Sequence, residues 1–286
     1  MKNKTKIIAE IGSNHNGNLK RCFLMIDKAK ELGFYAVKFQ LFKVNKLYSK
    51  DAKKLYKTAL KKKKRELPLR FIPKLYNYCR RKKIKFICTP FDIETIGFLK
   101  NYVNYFKIAS YELNWKKLVL SCAKTKKPII ISTGMATLKE VKNIFNLVKK
   151  INKKISLLHC VSSYPAQALS CNLNSIRFLK KKFNCPVGWS DHTVNPLIIY
   201  NAIKIQKAEF IELHFDLDGN GWEEKEGNHH CWLPNQVKQT LEYINNENKI
   251  SGKYMKKFSS EEKKERHFRT DPLDGLRPIK KYRRYL

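Results

Sequence analysis

Residues 7–17 read IIAEIGSNHNG, a short apolar run that contains one carboxylate and ends in polar residues. The aliphatic residues predict a buried strand. Glu10 lies inside that run, and a buried carboxylate is costly unless a partner offsets its lost hydration. Seven later runs share the short apolar form and precede a helix-like or polar segment: 36–40, 85–91, 105–110, 128–134, 155–161, 186–192 and 210–216.

Amphipathic stretches lie between these runs, at 19–32, 137–150 and 196–207, and the first ends at Gly33, a helix C-cap signal. Alternating strands and helices predict parallel pairing through crossovers. Eight units in about 245 residues predict an α/β fold, a (β/α)₈ TIM barrel. A doubly wound sheet is the alternative, but its usual first turn is G-x-G-x-x-G rather than G-S-N-H-N-G.

Two connections depart from the repeat, a lysine-rich one at 43–68 and a polar one at 217–235. We therefore expect a barrel domain over 1–247. The basic tail, 248–286, is too short for a separate domain, and we expect it to lie on the barrel or to be partly disordered.

The composition is strongly basic, with 60 Lys+Arg against 24 Asp+Glu and a net charge of +36. Such a charge favours an anionic partner, either nucleic acid or a small anionic substrate. Lysine runs such as 61–64 are typical of solvated helix faces, so we do not expect nucleic-acid binding. The eight cysteines form no C-x-x-C pair, which indicates a reducing cytoplasm. We expect no signal peptide and no membrane-spanning segment.

Polar side chains occur at the end of each predicted strand, where active sites of TIM barrels lie. Lys38 and Lys107 are accompanied by hydroxyl groups of Thr89, Ser110, Ser132 and Ser190. This set suits a phosphate or carboxylate, because charge-assisted hydrogen bonds are strong in a water-poor pocket. The alternative is that each lysine extends to solvent from a strand end.

His192 and His214 lie on neighbouring strands of the predicted barrel. Two imidazoles beside oxygen donors suit a divalent metal such as Mn²⁺, Zn²⁺ or Co²⁺. A pair of hydrogen-bonded core histidines is the alternative interpretation.

Eight motifs occur in one order along the chain: AEIGSNHNG, AVKFQLFKVNKLYSKDA, CTPFD, FKIASYEL, PIIISTGMAT, LLHCVSSYPA, VGWSDHT and IELHF. Together they resemble the sialic acid synthase (N-acetylneuraminate synthase) family over roughly residues 6–235. The resemblance implies a TIM barrel that condenses phosphoenolpyruvate with an open-chain amino-sugar. The products would be phosphate and a nonulosonic acid for surface glycans such as lipopolysaccharide or capsule.

The resemblance also assigns roles to individual residues. Glu10 matches the catalytic glutamate, and His192 and His214 match the metal ligands, for which Mn²⁺ is expected and Mg²⁺ or Co²⁺ are alternatives. The expected phosphoenolpyruvate ligands are Lys38, Thr89, Lys107, Ser110, Ser132, Ser162 and Ser190. The expected sugar ligands are Asn14, Gln40, Tyr164, His229 and His230.

The sequence departs from the family pattern at three places, one of which is the connection 43–68, whose form differs from the usual one. We expect no counterpart of the family's C-terminal antifreeze-like domain, which supplies an arginine to the partner subunit's site. The resemblance also allows this protein to form a homodimer. Asn228, His229 and His230 replace the usual Asp-His pair after the eighth strand. We expect Arg269 or Arg277 of the tail, or these two histidines, to take the missing arginine's place.

Two other functions remain open at the level of sequence. One is a metal-dependent barrel aldolase that uses pyruvate, and the other is a basic barrel that binds nucleic acid without catalysis. Phosphate release from phosphoenolpyruvate would separate the first from the proposed synthase. A salt-sensitive shift with DNA or RNA would favour the second.

Overall fold

The structure, a computed structural model, describes residues 5–225 and 229–284. The predicted TIM barrel is confirmed, since eight parallel strands pair in chain order and close on themselves. The strands are β1 (Lys6–Gly12), β2 (Ala36–Leu41), β3 (Lys85–Pro90), β4 (Tyr105–Ile108), β5 (Ile129–Ser132), β6 (Ile155–Cys160), β7 (Val187–Asp191) and β8 (Phe210–His214).

Helices and helical turns connect the strands. The α-helices are α1 (Leu19–Glu31), α2 (Val44–Leu47), α3 (Lys53–Leu60), α4 (Phe71–Lys82), α5 (Ile96–Leu99), α6 (Lys116–Lys124), α7 (Leu138–Lys149), α8 (Asn174–Phe183), α9 (Pro196–Tyr200), α10 (Trp222–Lys225), α11 (Pro234–Ser251) and α12 (Glu262–Glu265). Helix α9 continues as a π-helix over Asn201–Ile205. Short 3₁₀ turns cover Lys61–Arg65, Ser110–Glu112, Ala168–Ser170, Arg266–Phe268 and Lys280–Tyr282.

Local sequence signals define several helix ends. The side chain of Asn18 accepts a hydrogen bond from the Arg21 backbone N–H and begins α1. Gly33 follows that helix at a φ of +80°, where a residue without Cβ avoids strain. A reciprocal capping box between Thr137 and Glu140 begins α7.

One apolar layer fills the barrel interior, formed by Ile8, Ala36, Ile87, Ile130, Leu158 and Phe210. Side chains alternate between the two faces of a strand, so the residue two positions further along faces the same interior. Those residues are Glu10, Lys38, Thr89, Ser132, Cys160 and Glu212. A polar layer therefore lies directly above the apolar one, at the carboxyl end of the barrel.

The chain divides into two compact units, Met1–Ile244 and Asn245–Leu286. The first contains the barrel. The second contains α12 and a turn region in which Asp271 accepts hydrogen bonds from the backbone N–H groups of Lys280 and Gly275 through its carboxylate and carbonyl. The sequence-based division at 247 and the tail's lack of an independent domain stay predictions.

None of the described helices combines the length and the apolar composition that crossing a lipid bilayer requires. All eight cysteines are free thiols.

Candidate active site at the carboxyl end of the barrel

Two lysines and two glutamates form the centre of the polar layer. Lys38 Nζ lies 2.7 Å from Glu10 Oε2 and 3.7 Å from Glu212 Oε1. Lys107 Nζ lies 3.2 Å from Glu212 Oε1, which also accepts a hydrogen bond of 3.0 Å from Ser190 Oγ. The strand register produces this grouping, since Glu10 pairs with Lys38 and Ser190 pairs with Glu212. Lys38 on the neighbouring strand neutralises Glu10, which lowers the free-energy cost of burying this carboxylate.

Burial is the largest influence on the pKa values of Glu212, Lys38 and Lys107, and the neighbouring charges decide the direction of each shift. Burial favours neutral Glu212, but Lys107 and Lys38 outweigh it and hold the pKa of Glu212 below its ordinary value. Burial also disfavours charged Lys38, yet Glu10 and Glu212 raise its pKa overall. For Lys107 burial prevails and lowers the pKa, despite the attraction of Glu212. The two lysines thus differ in how strongly they hold a proton.

Several hydroxyl groups beside these charges have no hydrogen-bond partner among the described residues. They are the buried oxygens Thr89 Oγ1, Ser132 Oγ and Ser162 Oγ. A buried hydroxyl without a partner costs free energy, so such groups are typical of a site that binds a polar ligand. All three were predicted from the sequence as phosphoenolpyruvate ligands.

Gly134 brings a backbone donor to the same place. Its N–H donates to Ser110 Oγ over 3.1 Å. A Cβ atom at Gly134 would lie 2.3 Å from Ser162 Oγ and 2.9 Å from Ser110 Oγ, so only glycine fits without moving these hydroxyl groups. Backbone N–H and serine hydroxyl groups beside two lysines form a suitable cradle for an anion.

A cluster of aromatic and imidazole rings lies at the ends of β6, β7 and β8. The ring centroids of His192 and His214 are 5.2 Å apart, and His230 lies 4.5 Å from His214. The ring of Tyr164 lies over that of His192 in a tilted arrangement, with centroids 4.2 Å apart. The two histidines predicted as metal ligands are therefore neighbours, and His230 joins them.

Hydrogen bonds fix the tautomers of the two predicted ligands. His192 Nδ1 lies 2.6 Å from the Val161 carbonyl oxygen, and His214 Nδ1 lies 2.8 Å from Glu223 Oε2. Both partners only accept hydrogen bonds, so each Nδ1 carries a proton. Burial and the neighbouring His214 lower the pKa of His192 to about 3, which leaves that ring neutral with a lone pair on Nε2. Histidine ligands of metals are commonly oriented in this way.

The loop after β8 adds further donors. His214, Glu223, His230 and Cys231 are all buried, and one ligand atom of each lies within 4.8 Å of the others. Two imidazoles, a carboxylate and a thiol are a donor set that fits a divalent transition metal. His192 is outside this four-atom group but lies beside it.

Sequence reasoning did not assign roles to Glu212 and Glu223. Glu212 had a readable signal, because it follows the buried Phe210 by two positions and shares its face. Glu223 had none, because its place depends on how the 217–225 loop folds back onto the end of β1. There its Oε1 accepts from the Ser13 backbone N–H over 2.8 Å, and Gly12 leaves room for its carboxylate.

The predicted sugar ligands have diverse environments. Gln40 donates to Glu10 Oε1, and Tyr164 is partly exposed above His192. Asn14 is fully buried, because its amide donates to the Phe215 carbonyl and its Oδ1 accepts from the Glu223 backbone N–H. His229 is exposed, whereas His230 is buried. Asn228 lies outside the described residues, and Arg269 and Arg277 belong to the second unit. These roles stay predictions.

Comparisons with known proteins agree with the motifs. A model of the NeuB family matches residues 25–256. N,N'-diacetyllegionaminic acid synthase of Campylobacter jejuni is 36% identical over 97% of this chain and 86% of its own length. The spore coat polysaccharide biosynthesis protein SpsE of Bacillus subtilis is 37% identical over 75% of this chain, which spans only 60% of that relative's length.

Solved structures support the same relationship. A sialic acid synthetase from Leptospira borgpetersenii, determined with citrate, superposes with a TM-score of 0.79 at 30% identity, covering 92% of this chain and 90% of that chain. A truncated 3-deoxy-D-arabino-heptulosonate 7-phosphate synthase from Thermotoga maritima has a TM-score of 0.66 at 11% identity, covering 87% of this chain and 88% of that chain, and shows the shared barrel fold alone. The match over most of the chain, together with these relatives, shows that the protein belongs to the NeuB family of sialic and related nonulosonic acid synthases.

Proposed function

We propose that this protein is a cytoplasmic, metal-dependent transferase that condenses phosphoenolpyruvate with an open-chain amino-sugar. The products would be a nonulosonic acid and phosphate, for a surface glycan. One observation carries the proposal: two buried lysines, and hydroxyl groups that have no partner among the described residues, lie beside a buried histidine cluster at one end of the barrel. An anion and a metal-activated carbonyl compound could meet there.

Phosphoenolpyruvate is proposed to bind in the anion cradle. Lys38 and Lys107 would pair with its phosphate and carboxylate. Thr89, Ser132, Ser162 and Ser190, with Ser110 beside Gly134, would donate hydrogen bonds. The bound anion would replace Glu10 and Glu212 as partner of the two lysines, which leaves one oxygen of Glu10 available for chemistry.

The reaction forms one carbon–carbon bond. C3 of phosphoenolpyruvate attacks the aldehyde carbon of the sugar, and C2 then carries the positive charge of an oxocarbenium ion. Water adds to C2 and gives its proton to Glu10, whose negative charge also stabilises the cation. Cleavage of the C2–O bond to the phosphate then leaves the ketone of the sugar acid, and the departing phosphate takes the proton of the C2 hydroxyl. The proton held by Glu10 goes to the alkoxide formed from the aldehyde oxygen.

His192 and His214 are proposed to hold a divalent metal beside the cradle. When bound, such an ion polarises the aldehyde carbonyl as a Lewis acid. Gln40, Tyr164 and the histidines after β8 are proposed to contact the sugar. Because one relative makes diacetyllegionaminic acid, an N-acetylated amino-sugar is the proposed acceptor class.

The direct test of this function is incubation with phosphoenolpyruvate, a divalent metal and a panel of N-acetylated amino-sugars. We expect phosphate release that requires both a sugar and the metal, together with a sugar acid identified by mass spectrometry. Product formation from pyruvate without phosphate release would instead show an aldolase. No turnover with any sugar, together with salt-sensitive binding of DNA or RNA, would favour the non-catalytic alternative.

Replacing Lys38 or Lys107 with Ala should weaken phosphoenolpyruvate binding by about 10- to 150-fold, because one charged hydrogen bond contributes about 1.5–3 kcal/mol. Titration calorimetry measures this change. Lys85→Ala is the control, since Lys85 is exposed at the opposite end of β3. Unchanged affinity of both variants for phosphoenolpyruvate would show that Lys38 and Lys107 do not bind it.

Gly134→Ala should weaken phosphoenolpyruvate binding by about tenfold or more, because the added methyl group displaces the hydroxyl groups of Ser110 and Ser162. The fold should survive, since serine side chains can rotate away. The matched control is Gly97→Ala, as a Cβ at Gly97 would meet no other described part of the chain within 4 Å beyond its own helix. Equal affinity of the two alanine variants would show that the ligand does not use this cradle.

A further inference from the structure

The loop after β8 brings two imidazoles, a carboxylate and a thiol into one buried group: His214, Glu223, His230 and Cys231. We propose that Cys231 binds the catalytic metal as a thiolate within this group, and that the site therefore selects a borderline ion such as Zn²⁺, Co²⁺ or Fe²⁺ over Mn²⁺. This inference rests on the proposed function, because it concerns the same ion that His192 and His214 are proposed to hold.

Cys231 Sγ lies among the other possible metal donors, close enough for all four to share one ion. One donor atom of each of the four residues lies within 4.8 Å of the others, and the Cys231 side chain is nearly inaccessible to solvent. Cys231 Sγ lies 3.8 Å from Glu223 Oε2. Metal–sulfur bonds are about 2.3 Å and metal–nitrogen bonds about 2.0–2.1 Å. Small side-chain shifts bring all four donors to one ion once the proton of His214 Nδ1 has moved to Nε2 and the ion has replaced the hydrogen bond to Glu223.

Two further observations, on Asn14 and on His230, support a bound ion at this place. Asn14 Nδ2 lies 3.3 Å from Cys231 Sγ and donates to it, the kind of hydrogen bond that stabilises a negatively charged sulfur ligand. His230 is 3% exposed, and its Nδ1 has no hydrogen-bond partner among the described residues. The other ring nitrogen, Nε2, lies 3.6 Å from Glu223 Oε2 and is the His230 atom placed to bind the ion.

Charge balance favours a divalent ion. Glu223 contributes one negative charge, and Cys231 contributes a second when its thiol proton leaves to water as the metal binds. Two negative charges and neutral imidazoles neutralise M²⁺ in a buried site. The backbone N–H of Cys231 donates to Glu224 Oε1 over 2.7 Å, which holds the cysteine in place.

The donor types decide the class of metal. Thiolate and imidazole favour Zn²⁺, Co²⁺ and Fe²⁺, whereas Mn²⁺ prefers carboxylate, carbonyl and water oxygens. A site of histidines and oxygens alone would accept Mn²⁺ readily. The added sulfur shifts the preference, so the metal expected from the family resemblance is not the metal that this donor set favours.

Cobalt spectroscopy tests the proposal on the intact protein. The chain is stripped of metal with a chelator and titrated with Co²⁺ while the absorption spectrum is recorded. We expect a near-ultraviolet thiolate-to-cobalt charge-transfer band that saturates at one equivalent. The band should vanish in Cys231→Ser and persist in Cys185→Ser, a half-buried cysteine before β7 that is outside the group. A competition titration should show that Cys231→Ser loses at least about tenfold of the preference for Co²⁺ over Mn²⁺.

The wild-type spectrum alone can overturn the proposal, even if a variant fails to fold. Co²⁺ binding without the charge-transfer band, or no Co²⁺ binding at all, would exclude Cys231 as a ligand. Persistence of the band in a folded Cys231→Ser variant would also contradict the assignment. Sugar-dependent phosphate release by a protein without the band would leave the proposed function intact and reject this inference alone. A normal charge-transfer band without turnover on any sugar would support Cys231 as a ligand and reject the proposed function.

Discussion

Glu10→Gln is expected to lower kcat by at least about 10²-fold while phosphoenolpyruvate binds at least as tightly as before. The glutamine keeps the shape of the side chain and one accepting oxygen, but it cannot stabilise a cation at C2 or take a proton from water. It also removes the carboxylate 2.7 Å from Lys38, so that lysine becomes freer to pair with the substrate. Steady-state kinetics and titration calorimetry measure the two effects separately.

The matched control for Glu10→Gln is Glu209→Gln. Glu209 pairs with Lys180 just before β8, at the amino end of the barrel, so its loss should leave kcat unchanged. A Glu10→Gln variant that folds and keeps near-normal kcat would refute the catalytic assignment. Glu10 would then be the buried ion-pair partner of Lys38 and nothing more.

His214→Ala is expected to abolish metal-dependent turnover and to lower the bound metal well below one equivalent. His214 belongs to the four-residue donor group and also contacts His192, so its loss affects every arrangement of ligands that the cluster offers. Elemental analysis and activity with added metal measure the two effects. His192→Ala should reduce both quantities in the same direction.

His159→Gln serves as the control, because His159 Nε2 bonds the Cys171 carbonyl oxygen and lies outside the donor group. The control should keep its metal. A full equivalent of metal in His214→Ala would show that the metal does not bind at this cluster. Full activity of the wild type in excess chelator would show that turnover does not require a metal.

The fold could be predicted from the sequence because one short pattern recurs. Apolar runs such as 129–132 are too short for buried helices, and each lies between polar or amphipathic segments, which leaves few alternatives to a parallel barrel. The π-helical end of the third amphipathic stretch, 196–207, could not be predicted from the sequence. It depends on how Asn201–Ile205 packs, and the helical period of the sequence does not show it.

The anion cradle could be predicted in large part for a related reason. Lys38, Thr89, Ser132 and Ser190 interrupt apolar strands, and a strand has a fixed alternation of faces, so their convergence follows from the barrel. The same rule would have included Glu212. What the sequence could not supply is the pairing of Glu10 with Lys38, which depends on strand register.

The metal group was only half predictable. His214 ends a strand, but Glu223, His230 and Cys231 reach it through an irregular loop. The conformation of such a loop depends on its tertiary contacts, which the spacing of apolar residues in the sequence does not show. Asn14 is an instructive case. The family resemblance gives it as an expected sugar ligand, and that role stays a prediction. In the structure its amide joins the β1 and β8 loops, a contact that the sequence did not predict.

The central claim is that the barrel joins phosphoenolpyruvate to an aldose by attack from C3 and capture of C2 by water. Running the reaction in ¹⁸O-labelled water tests it directly, with mass analysis of the phosphate formed in the first turnovers. The account predicts sugar-dependent release of phosphate that contains no ¹⁸O, because the C2–O bond breaks and phosphorus is never attacked. Labelled phosphate, or phosphate released equally well without a sugar, would contradict it.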